Sequence, residues 1–273
     1  MPVKSIKLAA GLTENHQLAL LKSVTSPLAL NLEERQHLWN GIDLLRSSRV
    51  VVDEQNLSFA KIFELFIDGA YTEKFIDAVL TSKQIYNESR KHKKKVVAEI
   101  RARFAKEQWF RQDLPESRFL IAFCLYWWSS LATGYIFEAE VFRDLQNSGI
   151  TFQAHDLHRR VERFSFADLT ISNWQGDVKS STYFFYVARS SDLLHDFYIT
   201  RYFDEIGRRY IWFVMLRLEN WNQLDGETQP MIFPNWPEDF LQPVSFDFSD
   251  NKWVAVTYEV WKSKVLTFQE EGV

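Results

Sequence analysis

The sequence has few of the residues that mark small disulfide-rich, collagen-like or low-complexity chains. Among 273 residues there is one cysteine, and glycine and proline number only 9 and 7. Cys124 alone cannot form an internal disulfide or a multi-cysteine metal site, which favours a reducing compartment, and we expect a cytoplasmic protein. Met1–Leu20 lacks the continuous apolar core of an export signal, so no targeting segment is predicted.

The chain has enough apolar material for one large core or two modest ones. Hydrophobic residues make up 46% of it, charged residues 25% and aromatic residues 16%, as in a globular protein. One uncharged stretch, Phe119 to Phe137, approaches the length of a membrane-spanning helix. We interpret it as a buried helix ending near Ser130, with Thr133 capping the next helix, and expect no membrane association. A membrane anchor is the alternative.

The net charge of −4 hides a difference between two parts of the chain. Residues 1–115 carry 18 Lys and Arg against 14 Asp and Glu, or +4, and the remainder carries 14 against 22, or −8. The basic residues of the first part concentrate in a stretch that is predicted to be one helix. The candidate nucleic-acid contacts on it are Arg90, Lys91, Lys94, Lys95 and Arg101. A solvated helix surface is the alternative interpretation, because basic runs do not always bind phosphate.

Apolar spacing separates a helical first part from a second part rich in strands. From Leu32 to Gln112 apolar residues recur three and four apart, which predicts helices, including one over 82–110 and another from Arg118. After Gly149, short β-branched and aromatic runs predict strands. The predicted strands are 166–171, 177–187, 210–218 and 253–261. Residues 192–205 are expected to be helical, and 222–243 to form a loop.

One acidic residue of the second part lies on the apolar face of a predicted helix. Glu138 shares that face with Val141 and Leu145, and Gly149 suits the C-terminal cap. Its carboxylate is therefore turned towards the interior, where an ionised group is costly unless it is paired or bound to a metal. The simpler alternative is that Glu138 only favours the positive end of the helix dipole.

A predicted hairpin brings further acidic residues together. Alternation places Asp168 on the polar face of the first strand. After a tight turn over 172–176, Asp177 and Lys179 project to one side of the second strand, and Val178 points into the core. Such a hairpin can hold a hard divalent cation beside an ammonium group.

The order of a helix bearing Glu, a strand starting with Asp and a strand carrying acid-x-Lys resembles the PD-(D/E)XK nuclease superfamily. The helix pattern is similar to that of the archaeal Holliday-junction resolvases. Its residues are Gly134, Glu138, Val141, Leu145 and Gly149. The resemblance covers about residues 133–188, with Ala167 where the family usually has proline and only eight residues between Asp168 and Asp177.

Apolar spacing, not the resemblance, predicts a helical domain over 1–115. The resemblance implies that a restriction-endonuclease-like domain over 116–273 follows, with a central mixed β-sheet flanked by helices, so that the chain is of the α+β or α/β class. The implied activity is Mg²⁺-dependent cleavage of phosphodiester bonds, with Mn²⁺ as a substitute, by a DNA endonuclease. Carried over by position, the catalytic residues are Glu138, Asp168, Asp177 and Lys179.

The resemblance also assigns roles at the metal. Asp168 and Asp177 would be direct ligands with the carbonyl of Val178, and Glu138 would bind a second ion or a bound water. Lys179 would orient the attacking water and offset the developing negative charge. Asp156 is the reserve candidate if the pairing of the two strands is shifted and Asp168 is displaced.

The same residues also allow a second function, and two histidines near them need an interpretation. The alternative function is a non-catalytic nucleic-acid-binding or structural partner protein on the same fold, and the partner is DNA, a second copy of the chain or a protein complex. His155 and His158 are interpreted as polar loop residues, because two imidazoles without further ligands hold metal weakly.

Overall fold

The computed structural model divides into two units between Thr133 and Gly134, inside the helix Pro115–Asn147. The boundary predicted at residue 115 falls at the start of this helix, 18 residues before the division between the two units. The residues that the structure describes are 6–7, 11–25, 29–47, 49–52, 55–58, 61, 74–78, 85–108, 115–159, 162, 165–181, 193–204, 207–224, 247–248 and 251–272.

Helices form most of the described first unit. They are α1 (Glu14–Thr25), α2 (Leu32–Ser47), α3 (Ile85–Lys106) and the beginning of α4 (Pro115–Asn147). Asn31 caps α2 in a capping box, since its Oδ1 accepts from the N–H of Glu34 and its own N–H donates to that carboxylate, both at 2.9 Å. The same carboxylate accepts from Lys22 Nζ at 2.6 Å, which ties α2 to α1.

A small antiparallel sheet accompanies these helices, in the order β1-β2-β3. Its strands are β1 (Ile6–Lys7), β2 (Arg49–Val52) and β3 (Gln55–Ser58). The prediction of helix throughout 32–112 is therefore wrong over β2 and β3. Three consecutive valines in β2 favour extended backbone, and pairing with β3 outweighs the helical spacing around them.

Helix α4 runs without a break through the stretch where we expected one helix to end and another to begin. That prediction is wrong, because Thr133 Oγ1 donates to the carbonyl of Ser129 at 2.7 Å within the helix and caps nothing. At its end Gly149 has φ +79° and the N–H of Ile150 returns to the carbonyl of Leu145, which confirms the predicted cap.

Helix α4 also has the length and hydropathy that a membrane span requires. Among the described residues Glu116–Asn147 is the one helical stretch with this property, and half of its most apolar window is buried inside the protein. Core helices of soluble proteins meet the same criterion, so length and composition do not decide between the two environments.

The second unit is built around a seven-stranded mixed sheet in the order β4-β5-β6-β7-β8-β10-β9. Its strands are β4 (Gln153–Ala154), β5 (Leu169–Ile171), β6 (Trp174–Lys179), β7 (Phe197–Asp204), β8 (Arg209–Arg217), β9 (Asp247–Phe248) and β10 (Asn251–Thr257). Within the described strands β6 and β7 run parallel, and the other neighbours are antiparallel.

Helices pack on this sheet through their apolar faces. Phe137, Val141 and Leu145 of α4 join a core cluster with Trp261 and Val265 of the C-terminal helix. That helix is α6 (Tyr258–Glu271), and the short α5 (Leu218–Gln223) follows β8. The coarse prediction of an α+β chain with a mixed sheet flanked by helices is therefore confirmed.

Two predictions about this sheet are wrong. Residues 192–205 were expected to be helical, but 197–204 form β7, seven of whose eight residues are buried. A central strand buried on both faces shows no alternation, so its sequence does not distinguish strand from helix. The predicted strand 253–261 ends at Thr257, where α6 begins. Residues 182–187 and 225–243 lie outside the described residues.

Candidate functional site

The hairpin of β5 and β6 brings two of the predicted acidic residues side by side. Its turn is only Ser172–Asn173, so the predicted five-residue turn is wrong and Trp174 already pairs with Ile171. The N–H of Asp168 donates to the carbonyl of Gly176 at 3.0 Å. The N–H of Val178 in turn donates to Asp168 Oδ2 at 2.8 Å, which fixes that carboxyl group beside β6.

The second strand presents an acid and an ammonium group on the same face, as predicted. Lys179 Nζ lies 2.6 Å from Asp177 Oδ2 and 2.7 Å from Oδ1. Asp177 is 7% exposed, while the side chain of Val178 is 3% exposed and belongs to the core. The carboxyl groups of Asp168 and Asp177 are hydrogen-bonded to each other. The alternation of β6 thus separates site residues from core residues.

Helix α4 and the segment after β4 complete the cluster. His155 Nε2 lies 3.3 Å from Glu138 Oε2, and His155 Nδ1 lies 3.5 Å from Asp168 Oδ1. One ligand atom from each of these three residues lies within 4.8 Å of the others. The backbone N–H of His155 donates to the carbonyl of Asp168 at 3.0 Å, which places the imidazole on the hairpin. Its side chain is only 4% exposed.

His155 lies in the irregular segment after β4, as interpreted, but its side chain is buried against Glu138 and Asp168, which the sequence did not indicate. His158 is exposed. The reserve candidate Asp156 is not part of the cluster, because its Oδ2 faces Arg159 Nε at 3.4 Å. Asp168 keeps its predicted position. The sequence contains no strong signal for His155, since β4 has only two residues and shows no alternation that would orient the next side chain.

Electrostatics divides the carboxyl groups into different protonation states. Burial, the hydrogen bond to Asp177 and the charges of Asp177 and Glu138 raise the pKa of Asp168 to about 9. For Asp177 burial acts in the same direction, but the hydrogen bond from Asp168 and the ammonium of Lys179 together lower its pKa. Near neutral pH Asp168 is therefore protonated, whereas Asp177 is ionised.

The ammonium group of Lys179 stays charged in this setting. Burial acts to lower its pKa, but the carboxylates of Asp177, Asp168 and Glu138 outweigh burial and raise it. Lys179 is therefore a permanent cation and hydrogen-bond donor at neutral pH. It cannot serve there as a neutral nucleophile.

A second histidine, His195, borders Asp177 on the other side. Its Nδ1 lies 3.9 Å from Asp177 Oδ2 and 3.2 Å from the hydroxyl of Tyr198, and its Nε2 lies 2.6 Å from the carbonyl of Phe166. Because a carbonyl only accepts, Nε2 carries a proton and donates it there. His195 lies just before β7, in the segment that was predicted to be helical, so no sequence pattern associates it with the acidic residues.

The donor set fits a hard or intermediate divalent cation. Among the described residues, Glu138 and Asp168 supply carboxyl oxygens and His155 an imidazole nitrogen that lie close enough together to share one ion, and all of these atom types bind such ions. Asp177 lies beside Asp168, but both of its oxygens face Lys179 Nζ. The three carboxyl groups of the cluster have one ammonium group, that of Lys179, beside them. When Asp168 ionises, the negative charge exceeds this single positive charge, and a bound cation would then stabilise the cluster most. Val178, whose carbonyl the resemblance makes a ligand, stands between Asp177 and Lys179 on β6.

The basic helix belongs to the first unit. Its predicted contact residues all lie on α3 (Ile85–Lys106). The side chains of Lys94, Lys95 and Arg101 are exposed, whereas those of Arg90 and Lys91 lie outside the described residues. Three of the five predicted contacts therefore reach solvent and are available to a phosphate backbone.

Comparison of the chain with models of known protein families, with curated proteins and with solved structures gives no match.

Proposed function

We propose that the second unit is a metal-dependent phosphodiester hydrolase that cleaves DNA internally, with a restriction-endonuclease-like core. The observation that supports this proposal is the convergence of Glu138, Asp168 and Asp177 beside Lys179, in the order helix, strand, strand. The ordered set is more specific than any of its members, because acid-x-Lys alone is frequent by chance. Mg²⁺ is the expected cation, with Mn²⁺ as a substitute.

A divalent cation bound here would neutralise phosphoryl charge and lower the pKa of a bound water. Asp177 is ionised near neutral pH, and Asp168 would have to lose its proton to act as a ligand beside it. Glu138 of α4 would hold the cation or a bound water. Lys179 would donate a hydrogen bond to the attacking water and offset the negative charge that develops on the phosphoryl oxygens.

The basic helix α3 would supply the affinity that an acidic site lacks. The second part of the chain repels a polyanion, whereas Lys94, Lys95 and Arg101 present exposed positive charge that neutralises phosphates without reading sequence. We therefore assign DNA positioning to α3 and cleavage to the cluster on the sheet.

Supercoiled plasmid tests the proposal directly. The purified chain is incubated with Mg²⁺ or Mn²⁺, and nicked and linear products are compared with those of Asp177→Asn and Lys179→Met. Exposed matched controls are Glu270→Gln and Lys61→Met. We expect each site variant to lose roughly two orders of magnitude in rate or more, EDTA to abolish cleavage, and both controls to cleave like the parent.

Two outcomes contradict the proposal. Equal cleavage by the parent and both site variants would assign the activity to another site or to a contaminant. Salt-dependent DNA binding without cleavage under either cation would favour the non-catalytic binding protein on the same fold.

A further inference from the structure

The hydrogen bonds around Ser165 fix the protonation of the His155 ring. The Ser165 hydroxyl donates its only proton to the carbonyl of Ala167 at 2.8 Å. Towards His155 Nδ1, 3.1 Å away, it can therefore only accept. Asp168 Oδ1 lies on the same side of the ring at 3.5 Å. Nδ1 consequently carries the proton of the neutral imidazole.

The other ring nitrogen then presents a lone pair to a carboxylate. His155 Nε2 faces Glu138 Oε2 at 3.3 Å, with the two side chains 4% and 12% exposed. Two lone pairs opposed at this distance in a buried setting repel each other, and water has little access to separate them. The arrangement is favourable when a positive charge lies between the two atoms, either a proton or a metal ion.

The spacing of the atoms suits a metal ion. In an octahedral site with bonds of about 2.1 Å, neighbouring ligand atoms are about 3 Å apart, close to the 3.3 Å between Nε2 and Oε2. Metal-bound histidines also usually donate their second ring N–H to an oxygen acceptor, which sets the ring orientation. Ser165 provides such an acceptor for His155.

We propose that His155 binds the site's divalent cation through Nε2, together with Glu138 and Asp168, and makes the site selective for Mn²⁺ over Mg²⁺. The role of that ion in DNA cleavage rests on the proposed function, but its binding does not. Imidazole nitrogen strengthens binding of first-row transition ions, whereas Mg²⁺ prefers oxygen ligands and retained water. Mn²⁺ accepts carboxylate and imidazole together.

The test measures binding rather than cleavage. Mn²⁺ affinity is obtained from the loss of the free-ion electron paramagnetic resonance signal, and Mg²⁺ affinity from competition against Mn²⁺. The variants are His155→Gln, which removes the ligand, and His155→Asp, which makes the donor set all oxygen. His158→Gln is the matched control, because this exposed histidine lies three residues away and outside the cluster.

We expect the parent to bind Mn²⁺ at least about tenfold more tightly than Mg²⁺. Loss of a group that only orients a metal ligand typically weakens metal binding by about 10- to 100-fold, so His155→Gln, which removes a ligand, should weaken Mn²⁺ binding by at least roughly 10-fold, with a much smaller effect on Mg²⁺. His155→Asp should retain cation binding but lose the preference for Mn²⁺. The control should match the parent. A thermal melt in EDTA checks that each variant folds. If only one of the two His155 variants folds, that variant alone is enough to test the inference.

The inference is overturned if His155 variants bind Mn²⁺ like the parent, which would leave only a proton between Nε2 and Oε2. It is also overturned if the parent binds both ions equally. Failure of the proposed function gives a different pattern, namely His155-dependent Mn²⁺ binding without plasmid cleavage. Plasmid cleavage that His155→Gln leaves intact, with unchanged Mn²⁺ binding, would reject the histidine ligand and keep the nuclease.

Discussion

Lys179 Nζ and Asp177 Oδ2 lie 2.6 Å apart on the same face of β6, so each charge has its partner two residues away. Removing the ammonium group leaves the negative charge of the carboxylate cluster without its nearest positive charge. Removing one partner of a fully buried ion pair lowers the free energy of unfolding by about 3–5 kcal/mol. The Lys179 side chain is 40% exposed, so solvent screens this pair and the loss is smaller. We therefore expect Lys179→Met to lower the free energy of unfolding without metal by about 1 kcal/mol, measured by urea denaturation in EDTA. Lys61→Met serves as the control, and a Lys179→Met protein as stable as the parent would contradict the pairing.

Asp168→Asn should stabilise the metal-free protein, increasingly so as the pH rises. The pKa of Asp168 is raised from its ordinary value of 3.8 to about 9 in the folded chain, so folding favours its protonated form. The stability that this proton provides is complete below about pH 4 and is lost as the pH rises to about 9. Asparagine stays neutral and keeps an oxygen for the N–H of Val178. Melting temperatures in EDTA from pH 5 to 9 should diverge in favour of the variant; parallel curves would place the ionisation elsewhere.

Cation binding should release protons. Asp168 must ionise to act as a ligand, and its raised pKa means that it still holds a proton near neutral pH. We expect about one proton per cation at pH 7 and an affinity that increases up to about pH 9. Calorimetric titration with Mn²⁺ in buffers of different ionisation enthalpy measures the release. Binding without proton release would mean that Asp168 is not a ligand or is already ionised.

Gly176→Ala should destabilise the sheet through its neighbour on β7. A Cβ at Gly176 would collide with the buried ring of Phe197, which pairs with it across the parallel ladder. Overpacking of this kind costs about 1–3 kcal/mol. Because the clash is with a side chain, the double variant Gly176→Ala/Phe197→Leu should lose less than the two single changes added together. Urea denaturation of all four proteins measures the coupling, and simple additivity would contradict the contact.

Neutralising the basic helix should weaken DNA binding mainly at low salt. The change is Lys94→Gln, Lys95→Gln and Arg101→Gln together, with Lys61→Gln as a control on the same unit. Each phosphate contact contributes about 0.9 to the slope of log affinity against log salt, so three lost contacts should reduce it by about 2.7. Fluorescence anisotropy with a duplex between 50 and 200 mM salt gives the slope. An unchanged slope would identify α3 as an ordinary solvated surface.

Most of the proposed catalytic set could be predicted from the sequence because the geometry that orients each side chain is local. Helical spacing orients Glu138, and alternation along one strand orients Asp177 and Lys179, so each side chain follows from its immediate neighbours. His155 and His195 could not be found in this way. The first follows a two-residue strand and the second precedes β7, and both reach the cluster through backbone pairing with another segment of the chain, which the residues next to each histidine do not indicate.

The fold shows the same limit. Strand β8 was predicted almost to the residue, because turn residues precede its β-branched and aromatic run. Strand β7 was not, since burial on both faces removes the alternation that identifies a strand. The sequence at Thr257 and Tyr258 contains no glycine or proline to mark the change from β10 to α6.

The proposed metal ligands and Lys179 all come from one continuous segment, Glu138 to Lys179. Their assembly closes only short loops and needs neither β8 nor β10, so this segment has a low contact order within the unit. An ion that joins α4 to the hairpin would stabilise these contacts early in folding, while the rest of the sheet is still unpaired. Refolding of the chain should therefore be faster when Mn²⁺ is present from the start than when the ion is added after refolding is complete.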